Sequence, residues 1–402
     1  MSTRVLAGLS MAAALALAGC DEKIKAPSTP LKLADGTDKD GKPVPGATID
    51  VQTLTDGQTA FVHYCYGCHG LQGDGHGPAA FAMRPPPRDF RMGLFKFAGA
   101  PGGQVPTDEA LERTIRRGLQ GTPMLPWDIP ASERKTIVAY IKSLKCVAKN
   151  AKEPDDFKSR FEKEAPQAME VSVDPFKGKG PQEVAKAIEL GKAVYHVSGS
   201  DKADATKVFA GCSGCHAAYI TKQEMYDLSK RITGTGVTEF REDLYRTQTR
   251  ESEYGLEYDE NCEAVKKHQI LPPDFLFNKT KSIWPVGTLF ANEPEADGSP
   301  HKYTEDDQRT DIYRAIAAGI GGAAMPQWKG ALPEEHLWAL SYYVQTLINL
   351  RDTPGAYALR TALEHQPEFK APEEAPGDNA PAPEGGKKDD APKKGRTAPP
   401  RR

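Results

Sequence analysis

Apolar residues recur three and four positions apart in several stretches of the chain, a spacing that places them along one face of a helix. The clearest stretch contains Leu337, Leu340, Tyr343 and Leu347, and it follows Pro333, a residue suited to the first turn of a helix. Helices are predicted over residues 57–64, 108–117, 131–144, 182–196, 305–318 and 333–350. The pattern therefore indicates a mainly α-helical protein.

An internal repeat divides this helical region. The pattern Ile-x-x-Gly-x-x-Gly-x-x-Met-x-x-Trp begins at Ile115 and begins again, without a gap, at Ile316. A Pro-Pro pair close to an Asp-Phe pair also recurs, and the two copies end at Phe90 and Phe275. The chain therefore contains two copies of one architecture.

The two copies set the predicted division of the chain. The second is lengthened by an insertion within residues 217–271 and a smaller one within residues 284–303. The flanking stretches are rich in proline and charge and poor in apolar residues, a composition typical of unfolded chain. The predicted segments are a leader (1–19), a flexible tether (20–52), the first repeat (53–146), a linker (147–180), the second repeat (181–350) and a C-terminal extension (351–402) that is disordered from about residue 366.

Length, charge and the N-terminus narrow the class of protein. The chain has 402 residues and a formal net charge of −3, which provides no bulk attraction to nucleic acid. The apolar run over residues 5–18 has the length of a signal peptide and is too short to cross a bilayer. We therefore expect an exported chain.

The end of this apolar run carries a candidate modification site. Leu17, Ala18, Gly19 and Cys20 resemble the bacterial lipoprotein box, which implies a lipid-modified Cys20. An ordinary cleaved signal beside a chance cysteine is the alternative. The resemblance implies a protein tethered by lipid on the periplasmic side of a bacterial membrane. Asp21 resembles an inner-membrane retention signal, which favours the inner membrane.

Two copies of the motif Cys-x-x-Cys-His carry the chemistry. The first comprises Cys65, Cys68 and His69, and the second comprises Cys212, Cys215 and His216. This spacing attaches a c-type haem, because two thiols can form thioether bonds to the porphyrin while the next imidazole ligates the iron. Two covalently bound haem c groups are therefore predicted.

With this motif near its start and a methionine loop near its end, each repeat resembles a class I c-type cytochrome domain. The resemblance implies two tandem helical domains of this class, the second carrying the large insertion, with disordered tails on both sides. It implies His69 and Met124 as axial ligands of the first iron, and His216 and Met325 as those of the second. Rival sixth ligands are Met83, Met92 and Met225, which the internal repeat does not align.

The same resemblance implies a supporting contact for the first histidine. In such domains a proline carbonyl group in the loop after the motif accepts a hydrogen bond from the imidazole, and Pro78 is the matching residue. No matching loop follows His216, so its partner stays unassigned. Arg84 and Arg88 are candidates to pair with haem propionates, and solvated arginines are the alternative.

Two cysteines, Cys146 and Cys262, lie outside these motifs. Three interpretations are open. They form a disulfide between the first repeat and the insertion, they are free thiols, or one of them ligates iron as a thiolate. The last would match dihaem thiosulfate dehydrogenases, which these domains also resemble in outline.

Coordination by histidine and methionine favours electron transfer, because such iron has no open position. We expect a dihaem cytochrome that passes single electrons between respiratory complexes or carriers, with no small-molecule substrate required and no nucleic acid bound. Expected partners are the membrane and redox proteins such as a quinol-oxidising complex, a terminal oxidase or a soluble cytochrome. The alternative is a dihaem enzyme or enzyme subunit, similar to a thiosulfate dehydrogenase, a peroxidase or the electron-accepting subunit of a dehydrogenase. A peroxidase needs one open haem, for which the spare histidines are His196, His268 and His301.

Overall fold

A computed structural model describes residues 24–372, apart from Lys39 and Ala98, and gives the backbone alone for residues 252–256. The described helices are α1 (Val51–Tyr64), α2 (Tyr66–His69), α3 (Asp108–Arg117), α4 (Ala131–Ser143), α5 (Arg160–Lys163), α6 (Pro181–His196), α7 (Lys222–Thr233), α8 (Glu305–Ala318), α9 (Glu334–Leu350) and α10 (Pro354–Glu364). The prediction of a helix-rich fold is confirmed.

Short antiparallel strand pairs connect these helices. The strands are β1 (Leu31–Lys32), β2 (Gly36–Thr37), β3 (Pro43–Val44), β4 (Thr48–Ile49), β5 (Ser198–Ser200), β6 (Val208–Ala210), β7 (Arg250–Tyr258), β8 (Ala264–Ile270), β9 (Leu289–Pro294) and β10 (Pro300–Lys302). The pairs are β1 with β4, β2 with β3, β5 with β6, β7 with β8 and β9 with β10. Most of these strands lie in segments that the sequence assigns to the tether or to the insertions.

Each repeat is built on the crossing of its first and last long helices, α1 with α4 and α6 with α9. A glycine lies at each crossing. A Cβ atom on Gly57 would lie 2.0 Å from the carbonyl oxygen of Thr136, and one on Gly191 would lie 2.0 Å from that of Ala339. The backbones therefore approach each other as only glycine permits.

Aromatic rings fill the same place beside each crossing. Phe61 on α1 meets Tyr140 on α4 with ring centroids 5.3 Å apart, and Tyr195 on α6 meets Tyr343 on α9 at 5.6 Å. All four side chains are buried. Burial of such large apolar side chains is the main stabilising term of each core.

Local capping signals fix the helices that precede the methionine loops. The hydroxyl groups of Thr107 and Thr304 cap the N-termini of α3 and α8. Both helices end at a glycine with positive φ, Gly118 (64°) and Gly319 (71°). The predicted limits of these two helices are confirmed, whereas α1 begins earlier than predicted because Asp50 caps it.

The predicted flexible tether (20–52) is wrong for its described part. Leu31 and Leu33 are buried in the core of the first repeat. The Ala34 amide donates to the carbonyl oxygen of Phe161, 2.9 Å away. The segment folds because these two leucines find an apolar surface that local composition does not reveal.

The predicted linker (147–180) lies along both repeats. Phe161 is buried in the first core, and the Arg160 guanidinium donates to the carbonyl oxygens of Gly93 and Gly103. Farther on, the Ser172 hydroxyl group donates to the carboxylate of Glu334 at 2.6 Å. The segment therefore fastens one repeat to the other.

The insertions of the second repeat have defined structure. The large one forms α7 and the hairpin β7–β8, and the small one forms the hairpin β9–β10. On β9, the Glu293 carboxylate pairs with Arg117 of the first repeat at 2.8 Å, and the Asn292 amide donates to the carbonyl oxygen of Trp127 at 3.0 Å. The small insertion thus holds the end of α3 and the methionine loop that follows it.

The chain divides into one compact unit up to Gln366 and a second unit from Pro367. Helix α10 closes the first unit, and of the second unit only residues 367–372 are described, without a helix or strand. The predicted leader, Cys20 and residues 373–402 of the predicted disordered tail lie outside the described residues. Within the described part, no helix is long and apolar enough to span a membrane.

Candidate functional site

The first Cys-x-x-Cys-His motif lines a large cavity of the first repeat. Helix α1 ends at Tyr64, and the motif follows in the short helix α2. Cys65, Cys68 and His69 face a cavity of about 430 Å³ that Met124 also lines. This volume lies within the range of about 300–1,000 Å³ typical of cofactor sites. The predicted thioether cysteines and both predicted ligands therefore share one cavity.

The His69 ring is held in one orientation and one tautomer. Its Nδ1 lies 3.0 Å from the carbonyl oxygen of Arg88, so Nδ1 carries the proton and Nε2 keeps its lone pair. The ring of Phe90 stacks on it with centroids 4.3 Å apart. Burial lowers the pKa of His69 to about 4, which keeps the imidazole neutral. A neutral imidazole with a free Nε2 is the form that binds a metal.

The predicted role of Pro78 is wrong, because the acceptor for His69 is the Arg88 carbonyl group. The loop that contains Pro78 instead folds back on the motif, where Gly75 and Gly77 donate their amides to the carbonyl oxygens of His69 and Cys68 at 2.9 and 3.1 Å. The recurring Pro-Pro and Asp-Phe pairs were the signal for the true partner. The residue just before each Asp-Phe pair supplies the carbonyl group.

The second motif has the same supporting geometry. His216 Nδ1 lies 3.0 Å from the carbonyl oxygen of Pro273, the residue before Asp274 and Phe275. Phe275 stacks on His216 with centroids 5.2 Å apart and an interplanar angle of 12°. Burial lowers the pKa of His216. The partner left unassigned by the sequence is therefore Pro273.

The two methionine loops also share a fold. The Leu119 amide donates to the Met124 carbonyl oxygen at 2.8 Å, and the Ile320 amide donates to that of Met325 at 3.2 Å. Each turn begins at the positive-φ glycine that ends the preceding helix. Met325 packs against the core of the second repeat.

The rival methionines have different surroundings. Met83 lines the same cavity as Met124 and stays a rival for the sixth position. Met225 is buried on α7 among core residues, which is the environment of a packing side chain.

Residues 52–141 match the family model described as cytochrome c oxidase, cbb3-type, subunit III. This segment is a c-type cytochrome domain. Its two thiols, its neutral imidazole and its apolar cavity walls fit a covalently bound haem c. Electron transfer is the general activity of such domains.

A comparison with solved structures finds a chain of the reducing HAO-like protein complex from Kuenenia stuttgartiensis. It is 23% identical in sequence to this chain, with a TM-score of 0.44. The alignment covers 73% of this chain and 96% of that one. No curated protein matches the sequence.

The two arginines predicted near the haem differ in position. Arg88 lines the cavity of the cytochrome domain. Arg84 is exposed, and its guanidinium donates to the carbonyl oxygens of Phe81 and Met83 at 3.3 and 2.7 Å. Arg88 is therefore the better placed of the two to meet a propionate.

The remaining cysteines form a disulfide, which joins Cys146, just after α4, to Cys262 in the turn between β7 and β8. Beside it, the Lys149 amide donates to the Glu260 carbonyl oxygen at 2.7 Å. The disulfide contradicts the two other interpretations, in which these cysteines are free thiols or one of them is a thiolate ligand of iron.

The spare histidines are not equivalent. Both nitrogens of His196 are engaged, one with the Lys192 carbonyl oxygen and the other with the Tyr219 amide. His301 contacts the carboxylates of Glu295 and Asp307. His268, in contrast, lines the cavity of the cytochrome domain.

Sequence reasoning missed Arg241, which lies in the large insertion. Its guanidinium donates to the carbonyl oxygens of Ser213 and His216, within the second motif, at 3.1 and 2.6 Å. It also donates to those of Leu244 and Arg246 at 3.1 and 2.6 Å. The His216 carbonyl oxygen thus accepts from a side chain where that of His69 accepts from a loop amide, whereas the Cys215 carbonyl oxygen accepts the Gln248 amide at 2.8 Å. No sequence pattern distinguishes this arginine from the other charged residues of the insertion.

Proposed function

We propose that this protein is a membrane-tethered dihaem cytochrome c that transfers single electrons between respiratory complexes or carriers on the periplasmic face of a bacterial membrane. One observation carries the proposal. In both repeats, the motif histidine bonds a carbonyl oxygen through Nδ1 and stacks on the phenylalanine of an Asp-Phe pair. The motif histidine of the second repeat is therefore oriented for iron ligation by the same two contacts as that of the cytochrome domain.

In this proposal, His69 and Met124 ligate the iron of haem 1, and His216 and Met325 ligate that of haem 2. Bound haem c supplies a one-electron carrier, and a thioether ligand raises its reduction potential. The protein orients each imidazole through Nδ1 and excludes water with the stacked phenylalanine. Closed coordination suits a relay, because oxidation and reduction then need little rearrangement.

The number of haems is the first test. Haem content per chain is measured on the purified protein by the pyridine haemochrome method and by mass spectrometry. We expect two haems, and we expect one haem in the paired variant Cys212→Ser with Cys215→Ser. A wild-type chain that carries a single haem contradicts the proposal.

The coordination is tested with carbon monoxide, which binds reduced haem only at an open or easily displaced position. We expect little spectral change in the wild type. Met124→Ala and Met325→Ala should each open one haem to carbon monoxide and lower its potential. Met83→Ala is the matched control for haem 1, because Met83 lines the same cavity. If Met83→Ala opens haem 1 and Met124→Ala does not, the ligand assignment is wrong.

A dihaem enzyme is the second candidate, and His268 in the cavity of the cytochrome domain is the observation that favours it. A histidine beside an open iron can move protons for a bound substrate. The enzyme predicts carbon monoxide binding to one wild-type haem and peroxide or thiosulfate turnover that His268→Gln abolishes. The relay predicts neither.

The membrane tether rests on the sequence around Cys20. We expect a mature N-terminus whose mass includes lipid on this cysteine, and a Cys20→Ser variant that leaves the membrane fraction. The proposed partners are a quinol-oxidising complex, a terminal oxidase or a soluble cytochrome. Lipid confinement would limit the search for such partners to the membrane surface.

A further inference from the structure

Four basic side chains line the cavity that holds His69 and Met124. Arg88 and Lys96 come from the first repeat, and His268 and Lys281 come from the second. All four are half-buried. We call them the cationic wall. Burial, and after it the repulsion from the other basic groups, lowers the pKa of Lys96 to about 7 and the pKa of His268 to about 4. At neutral pH His268 is therefore a neutral hydrogen-bond donor of this wall, and the positive charge lies on the other three side chains.

The acidic residues of this cavity have other contacts. Asp89 pairs with Arg91 at 2.8 Å, and the Asp74 carboxylate accepts the His76 amide at 3.0 Å. Basic side chains gathered at one cavity create a positive potential there, which favours an anionic group. The cationic wall is therefore suited to an anionic group of the molecule that fills the cavity.

A haem attached through Cys65 and Cys68 brings such a group into this cavity, because each haem carries two propionate carboxylates. We propose that the cationic wall binds the propionates of haem 1, and that the second repeat completes this site with Lys281 and His268. This inference rests on the proposed function, which fills the cavity with haem.

The position of Lys281 is fixed by the methionine loop of the first repeat. The Gln120 amide donates to the Lys281 carbonyl oxygen at 2.8 Å, and the Gln120 side chain donates to that of Ile283 at 2.9 Å. Gln120 is buried. The loop that carries Met124 thus also holds the segment that carries Lys281.

The position of His268 is fixed from the other side. It lies on β8, whose hairpin turn contains Cys262, and the disulfide to Cys146 ties that turn to the end of α4. Both side chains that the second repeat contributes to the wall are therefore anchored on the first repeat.

The proposal has an electrostatic consequence. A positive charge beside the porphyrin disfavours the ferric state, which carries one more positive charge than the ferrous state. The second repeat would therefore raise the potential of haem 1 through Lys281, although it supplies no ligand to that iron.

Spectroelectrochemical titration of the full-length holoprotein tests this. Haem 1 is identified as the centre whose potential changes in Met124→Ala. We expect Lys281→Met to lower the reduction potential of haem 1. With the solution held at the wild-type midpoint potential, the ratio of reduced to oxidised haem 1 should fall three- to tenfold, and a tenfold change corresponds to about 59 mV for one electron. Lys281→Arg keeps the charge and should restore the ratio.

Lys267→Met is the matched control. Lys267 is on β8 beside His268, but it is exposed and pairs with Glu251. Lys267→Met deletes the same charge and should leave the reduction potential of haem 1 unchanged. The proposal is overturned if Lys281→Met leaves that potential unchanged, or if Lys267→Met shifts it equally.

Two further measurements keep the proposal open to refutation. If Lys281→Met does not fold, His268→Gln replaces it, and the propionate bending band in the resonance Raman spectrum should shift. Sulfate is also titrated into the wild type. The contrary result is that sulfate shifts the potential of haem 1 in the wild type and in Lys281→Arg but not in Lys281→Met. That result would show that the wall binds free anions, and it would overturn the proposal. Absence of haem on Cys65 and Cys68 would instead refute the proposed function.

Discussion

Replacement of Arg241 by methionine tests how the second motif is held. The methionine preserves much of the apolar stem and removes the guanidinium. That group donates to the carbonyl oxygens of Ser213 and His216 within the motif and to those of Leu244 and Arg246 in the insertion. The variant therefore removes these side-chain links between the motif and the insertion without creating a large cavity.

The structure sets the size of the expected loss. A hydrogen bond to a charged group contributes about 1.5–3 kcal/mol, but several bonds to one side chain are not additive. The Arg241 side chain is 15% exposed, so water replaces some of these contacts. We expect the free energy of unfolding to fall by about 3–5 kcal/mol, as when one partner of a buried charged contact is removed.

Urea denaturation and carbon monoxide binding measure the effect. In Arg241→Met, we expect one haem to react with carbon monoxide at neutral pH while the other stays closed and serves as an internal control. Arg246→Met is the matched variant, because its side chain is 74% exposed and forms a surface ion pair with Glu364. Such a pair contributes about 0–1 kcal/mol. The reasoning fails if both variants unfold alike or if haem 2 stays closed in Arg241→Met.

Three further variants test contacts that stabilise the folded protein. Gly57→Ala should lower the free energy of unfolding by at least about 1–3 kcal/mol, measured in urea, because its Cβ meets the Thr136 carbonyl oxygen at 2.0 Å. Cys262→Ser should lower it by about 2–5 kcal/mol, because the disulfide closes a long loop with a sequence separation of 116; an equal urea midpoint would show that the bond does not form. Burial lowers the pKa of His196 to about 3 from 6.5, so its stabilising effect is full above pH 6.5 and is lost as the pH falls toward 3. His196→Gln should flatten the stability profile over that range, and an unchanged slope would assign it to other groups.

The parts of the fold that the sequence predicts well are those with local causes. Helices α3 and α8 have the predicted limits because a threonine cap and a terminal glycine fix both ends. The stretch over residues 20–52 misled the prediction because its composition is that of unfolded chain. Its strands form because Leu31 and Leu33 reach the core of the first repeat, and such tertiary contacts leave no periodic signal.

The candidate site divides in the same way. The motif residues and Met124 follow from spacing and repetition, whereas Arg88 was only one of two arginines named as candidates for the haem propionates. The acceptor for His69 was wrongly predicted because a family pattern was given more weight than the internal repeat. Contributions from the other repeat, such as Lys281 and His268, depend on how the two repeats pack, which spacing within one repeat cannot reveal.

The large insertion has a physical reason that links the two repeats. In the first repeat, amides of a glycine-rich loop satisfy the carbonyl groups of the motif. In the second repeat the large insertion satisfies them, with the Arg241 side chain at Ser213 and His216 and the Gln248 amide at Cys215, and this requires extra chain that folds back over the motif. That extra chain continues into the hairpin β7–β8, which carries His268 to the cavity of the first repeat. The segment that holds the second motif therefore also places a basic side chain in the cavity of the first repeat.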